Sequence, residues 1–198
     1  MSGISRIVVY TGSAPGTDPA YLEAATAVGS AIAHAGFGLV YGGGNVGLMG
    51  AVASAGRDAD GEVIGVIPEA LVGKEIAHHG LTRLEVVADM HERKMRMAEL
   101  SDAFVMLPGG AGTLEEFFEA WTWQQLGIHD KPIAVYDVNG FWQPLIAALD
   151  HIVAQGFIGS RFRDGLIVAT DPDELLEKLR AWQPPAAKWT VPEDSITE

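Results

Sequence analysis

Seven short apolar runs, each followed by a stretch with helical periodicity or by a tight turn into one, constrain this chain more than any other feature. The runs are Ile7–Tyr10, Phe37–Tyr41, Val63–Ile67, Leu84–Val87, Ala103–Leu107, Ile133–Tyr136 and Leu166–Val168. They are too short for helices and rich in β-branched residues, so they read as strands buried on both faces. Helical patterns fill the gaps: about Asp18 to Ala35, Gly47 to Ala59, Met90 to Leu100, Thr113 to Leu126 and Phe141 to Gln155, with a last helix capped at Asp171-Pro172. Asp18-Pro19 supplies another start signal, and Asp89 with Glu92 forms a capping box. Strands alternating with helices predict an α/β fold: one Rossmann-like domain over residues 1–183, a doubly wound parallel sheet with helices on both faces. Residues 69–82 are the least regular part, and 184–198 read as an acidic, weakly ordered tail.

The chain has 198 residues, enough for one sizeable core, and a net charge of −13. That charge argues against nucleic acid and anionic membrane as partners, though not against a small phosphate held by local backbone dipoles. There is no cysteine, which removes disulfides, thiolate chemistry and Cys-ligated zinc. No apolar run has the length of a membrane span and the first residues carry no leader pattern, so a cytoplasmic protein is expected. The six histidines show no ligand spacing, and no aspartate-rich cluster suggests a cation cage. Neither metal nor cofactor is expected. A G-x-S-x-G elbow and a P-loop are both absent.

Ligands of doubly wound folds bind at the carboxyl ends of strands. Three glycine-rich turns fall there, at 12–16, 42–47 and 109–112. The last, Leu107-Pro108-Gly109-Gly110-Ala111-Gly112-Thr113-Leu114-Glu115-Glu116, is the most informative. Glycines let the backbone approach a ligand, and amides at a helix start favour an anion. With the helix opening at Thr113, two carboxylates stand in its first turn, where a site that only held phosphate would gain little from them. Glu116 is either a catalytic carboxylate or the second half of a Thr113-x-x-Glu116 capping box, and Glu115 either faces substrate or complements the helix dipole. Glu119 and Thr122 share the face of Glu115.

Gly42-Gly43-Gly44-Asn45-Val46-Gly47 formally matches G-x-G-x-x-G, but it follows the second strand and no acidic residue ends the third. Tight-turn chemistry competes there with a nucleotide wall. Arg93 shares a helical stripe with Met90, Met97 and Leu100, so its charge needs a partner: a structural ion pair, or a phosphate or carboxylate in a site. Arg96 has an ordinary place beside Glu92. Trp121 and Trp123 read as core or interface residues before base-stacking platforms.

These motifs together resemble the Lonely Guy family of cytokinin-activating phosphoribohydrolases, whose members have often been labelled lysine decarboxylases. The resemblance rests on Pro108 to Glu116, on Met90-His91-Glu92-Arg93-Lys94, on Trp123 to Pro132, on Gly42-Gly43-Gly44 with Gly47-Leu48-Met49-Gly50, and on Gly12-Ser13. It covers roughly residues 5 to 180. It implies hydrolysis of the N-glycosidic bond of cytokinin riboside 5′-monophosphates, with AMP as a further substrate, releasing the base and ribose 5-phosphate. It implies Arg93 and Glu116 as catalytic residues. It implies substrate contacts at Glu75, Arg93, Lys94, Gly109, Gly110, Ala111, Gly112, Thr113, Leu114, Glu115 and Thr122. Gly12, Ser13, Gly43, Gly44 and Met90 would add a further substrate wall. It also implies a homodimer built on the Met90–Leu100 and Thr113–Leu126 helices. The decarboxylase label fits poorly: such chemistry usually needs a lysine-bound pyridoxal phosphate, and only Lys94 of the lysines lies in a clear motif. A noncatalytic nucleotide-binding or sensing protein is the alternative from another class.

Overall fold

A computed structural model describes residues 3–72, 78 and 80–188. All seven expected strands form: β1 Arg6–Tyr10, β2 Gly38–Tyr41, β3 Val63–Pro68, β4 Arg83–Val87, β5 Ala103–Met106, β6 Ile133–Tyr136 and β7 Ile167–Ala169. They make one parallel sheet in the order β4-β3-β2-β1-β5-β6-β7. The helices are α1 Ala20–His34, α2 Gly47–Asp58, α3 Met90–Glu99, α4 Ala111–Leu126, α5 Gln143–Ala154, α6 Ser160–Asp164 and α7 Pro172–Ala181.

The strand pleat explains the continuous apolar runs. Along β1, Ile7 and Val9 face one core with α1, α2 and α7, while Val8 and Tyr10 face a second with α3, α4 and α5. Both cores exclude water almost completely, so neither face of a central strand can carry a polar residue. Phe104 on β5 is held between the rings of Tyr10 and His129, at 6.0 and 5.0 Å between centroids.

Several boundaries differ from the sequence reading. Pro19 is the N-cap of α1 rather than its first residue, yet the Asp18 carboxylate still accepts from the Ala20 amide at 2.9 Å. The Asp89 and Asp171 caps form as expected, and Glu92 accepts from the Ala88 amide at 2.7 Å. That bond draws Glu92 away from Arg96, which pairs with Glu85 on β4 at 2.6 Å and with Glu99 at 3.1 Å. A 3-10 turn at Glu69–Leu71 and the five-residue α6 were not foreseen. Of the expected tail, residues 184–188 run against the end of α4, where the Lys188 amide donates to Gln125 O at 2.8 Å. No described helix is long and apolar enough to cross a membrane.

Candidate active site

The strand order reverses between β1 and β5, so their carboxyl ends open a crevice that no crossover covers. The two exits are tied together. The Leu107 amide donates to Tyr10 O at 2.9 Å, the Gly12 amide to Pro108 O at 3.1 Å, and the Thr11 hydroxyl to the same Pro108 carbonyl at 3.0 Å. A cleft of about 330 Å³ lies over this junction. It brings together Gly12 and Ser13 from the turn after β1, Met90 and Arg93 from α3, and Gly110 to Thr113 with Glu115 and Glu116 from the cap and first turns of α4.

The start of α4 forms the floor. The helix begins at Ala111 with Gly110 as its N-cap, and no side chain caps it. The first amide to bond back along the helix is that of Leu114, to Gly110 O at 3.1 Å. The amides of residues 111–113 precede that bond, so they are oriented out of the helix end, where an anion gains most. This corrects two readings: Thr113 is not the cap, so Glu116 is not the far half of a capping box, and no carboxylate stands in the first turn. Glu115 and Glu116 come one turn later. The glycines differ in purpose. A Cβ on Gly109 would meet the Thr113 hydroxyl at 2.1 Å, whereas one on Gly110 or Gly112 would meet nothing within 4 Å. Packing requires glycine at 109; at 110 and 112 the space is open cleft.

The turn at 42–47 behaves otherwise. The first amides of α2, from Leu48 and Met49, donate to Gly12 O at 3.1 and 3.3 Å. Gly47 has φ +54°, and a Cβ there would stand 2.4 Å from the Ser13 carbonyl. A backbone carbonyl thus occupies the position a pyrophosphate would take, and the tight turn accounts for Gly47. Gly43 and Gly44 are buried behind the cleft rather than lining it.

Arg93 is buried and points inward, as its stripe requires. Its Nε donates to Val66 O at 3.1 Å and its Nη2 to Gly42 O at 2.9 Å, while Nη1 approaches the Met90 sulfur at 3.6 Å. A Cβ on Gly42 would lie 2.0 Å from Nη2, so that glycine makes room for the guanidinium. Val9, Met49, Leu71 and Met97 add an apolar wall that was not among the expected site residues. Met97 was within reach, being one step along the Met90–Arg93 stripe.

Lys94 follows Arg93 on α3 and is also buried. Its side chain is only 8% exposed, and its ammonium bonds the carboxylates of Glu115 and, at 3.1 Å, Glu119. Burial pulls the Lys94 pKa down, but the two carboxylates raise it further, so the amine stays charged. Lys94, Gly109, Leu114 and Thr122 are not part of the lining, and Thr122 sits exposed on the outer face of α4. Glu75 lies outside the described residues. Burial, then the nearby carboxylates with Glu116 first, push the Tyr10 phenol well above its ordinary value, leaving a neutral hydroxyl below the site. Trp121 is fully buried and stacked on Phe117, a core residue. Among the described residues no group of three or more His, Cys, Asp or Glu could hold a metal ion.

The fold and cleft define a Rossmann-like protein with an open cleft at its switch point. Residues 49–179 match the family model described as "Possible lysine decarboxylase". The chain is 47% identical over 176 residues to the cytokinin riboside 5′-monophosphate phosphoribohydrolase of Rhodococcoides fascians, covering 88% of this chain and 89% of that one. It is 45% identical to the cytokinin riboside 5′-monophosphate phosphoribohydrolase LOG of Oryza sativa subsp. japonica, covering 92% and 76%. In structure it is similar to the molybdenum cofactor binding protein of Rippkaea orientalis, with TM-score 0.69 and 23% identity over 89% of this chain and 96% of that one, a likeness of fold alone. The chain belongs to the Lonely Guy family, as its glycine and arginine–lysine motifs suggest.

Proposed function

We propose that this chain hydrolyses the N-glycosidic bond of cytokinin riboside 5′-monophosphates, releasing the free base and ribose 5-phosphate, and that it accepts AMP. The names of its relatives support the reaction. The observation that carries it is the uncapped start of α4, opening into a cleft whose next helical turn supplies two carboxylates.

In this reading the 5′-phosphate takes the amides of residues 111–113, and Gly109 and Leu114 hold the turn and helix that present them. The phosphate's binding energy then positions the ribose against α4. Cleavage of an N-glycoside builds positive charge on the sugar. The Glu116 carboxylate stabilises that charge and orients the attacking water. Arg93, fixed by two carbonyls, orients substrate from the opposite wall. Gly12 and Ser13 close the phosphate end, and Met49, Leu71, Met90 and Met97 form an apolar face suited to the base. Glu75 belongs to the substrate contacts by motif.

Lys94 enters through the carboxylates it holds, and Thr122 across a subunit interface. The helices that carry them expose Met90, Met95, Phe118 and Leu126, an apolar surface suited to a second copy of the chain. A homodimer with active sites near that surface follows. Light scattering at micromolar concentration should read two chains, and a fully active monomer would refute the dimer. A phosphorylated substrate, which does not cross membranes unaided, goes with a cytoplasmic location.

Comparing AMP with adenosine tests the anchor. Losing a charge-assisted phosphate site should slow base release by several kcal/mol of transition-state stabilisation, on the order of two or three such hydrogen bonds. Equal rates would overturn the reading.

A further inference from the structure

Glu119 shares the face of Glu115 but stands outside the cleft lining, yet it competes for Lys94, the cation that holds Glu115 among the described residues. Glu115 and Glu119 are one helical turn apart on α4. Two like charges at that spacing repel. Lys94 resolves the conflict by reaching across from α3 and bonding both. The three side chains are graded in exposure, at 54% for Glu115, 27% for Glu119 and 8% for Lys94. Only Glu115 lines the cleft, so the ammonium is screened from that space by the carboxylate it holds. One ammonium against two carboxylates leaves the cluster with a net negative charge, a short distance from the phosphate cradle on the same helix.

We propose that Glu119 is a positioning residue: with Lys94 it forms a clamp that fixes Glu115 at the cleft wall and keeps that wall net negative beside the ribose. The proposal rests on the phosphoribohydrolase reading. It has opposite effects on the two ends of the substrate. A negative wall weakens binding of the dianionic phosphate and favours the positive charge that develops on the sugar. The clamp thus exchanges ground-state affinity for turnover, which is the useful direction for a catalyst.

Glu119→Gln keeps the shape and an acceptor for Lys94 but removes the charge. KM for the monophosphate and the Kd for ribose 5-phosphate should both fall, and kcat should fall with them, each by about twofold to fivefold, the range of a single partly screened charge. The differences should shrink as salt is raised. A merely structural Glu119 would lower the melting temperature and raise KM, and that result, or unchanged KM and kcat, would overturn the clamp. Lys94→Met leaves two adjacent carboxylates unneutralised, so ribose 5-phosphate should bind more weakly. Adding Glu119→Gln to Lys94→Met should then restore part of the affinity. No restoration would make Lys94 a direct phosphate ligand and overturn the proposal. Wild-type turnover is measured alongside: no base release there refutes the hydrolase reading, whereas an active wild type with an unresponsive Glu119→Gln refutes the clamp alone.

Discussion

Gly112→Ala separates the two roles that glycine can play at the start of α4. Gly112 lies inside the helix, its φ is not positive, and a methyl there meets nothing within 4 Å. Glycine in a helix costs up to about 1 kcal/mol relative to alanine, and the gain comes partly from the unfolded chain. The substitution should therefore raise the melting temperature by about 2–4 °C for a domain of this size. The same methyl enters the space assigned to phosphate. A misplacement of about 1 Å at a reacting centre can cost about a hundredfold, so kcat/KM should drop by at least about tenfold. The assay pairs a thermal melt with chromatographic base release. Gly109→Ala supplies the contrast: its Cβ would strike Thr113 at 2.1 Å, so it should lower stability as well as turnover. A Gly112→Ala protein that is stable and fully active would empty the cradle of its function. One that melts earlier would mean that the helix does not start where it is described.

Arg93→Lys keeps the charge but cannot serve both Gly42 O and Val66 O, so it should lose turnover and about 1–3 kcal/mol of stability, read by denaturant melts. Arg96→Ala, which breaks only surface ion pairs to Glu85 and Glu99, should change stability by no more than about 1 kcal/mol and leave turnover near normal; equal loss at both positions would indict the helix rather than the guanidinium. His129 is held at a pKa of about 4 chiefly by burial, below the ordinary histidine value of 6.5. It binds its proton less readily when folded, so its contribution to stability is present above 6.5 and is lost as pH falls toward 4. Melting temperature should therefore decline over that window, and more shallowly in His129→Gln.

Much of the fold was legible because buried parallel strands leave a plain signature. Each apolar run became a strand, shifted by no more than a residue or so at either end. The start of α4 was harder. Thr113-x-x-Glu116 has the form of a capping box, and sequence rules favour a side-chain cap over a bare glycine. The helix starts earlier with no cap, and an open end is what a ligand-binding helix needs. Arg96 was misassigned because Glu92 satisfies the amide of Ala88 instead, and its replacement partner Glu85 lies on another element. Lys94 was legible as a motif residue, but not its clamp, whose members come from α3 and α4. Short α6 left no periodic signal. The inward course of Arg93 was readable from its stripe; the carbonyls that receive it, of Gly42 just past β2 and Val66 within β3, were not.

The most direct test of the hydrolase reading incubates the wild-type protein and Glu116→Gln with a cytokinin riboside 5′-monophosphate and quantifies free base and ribose 5-phosphate together. The wild type should release the two in equal amounts, and Glu116→Gln should be slower by roughly a hundredfold or more with little change in melting temperature. Binding without release by the wild type, or full turnover by Glu116→Gln, would contradict the account.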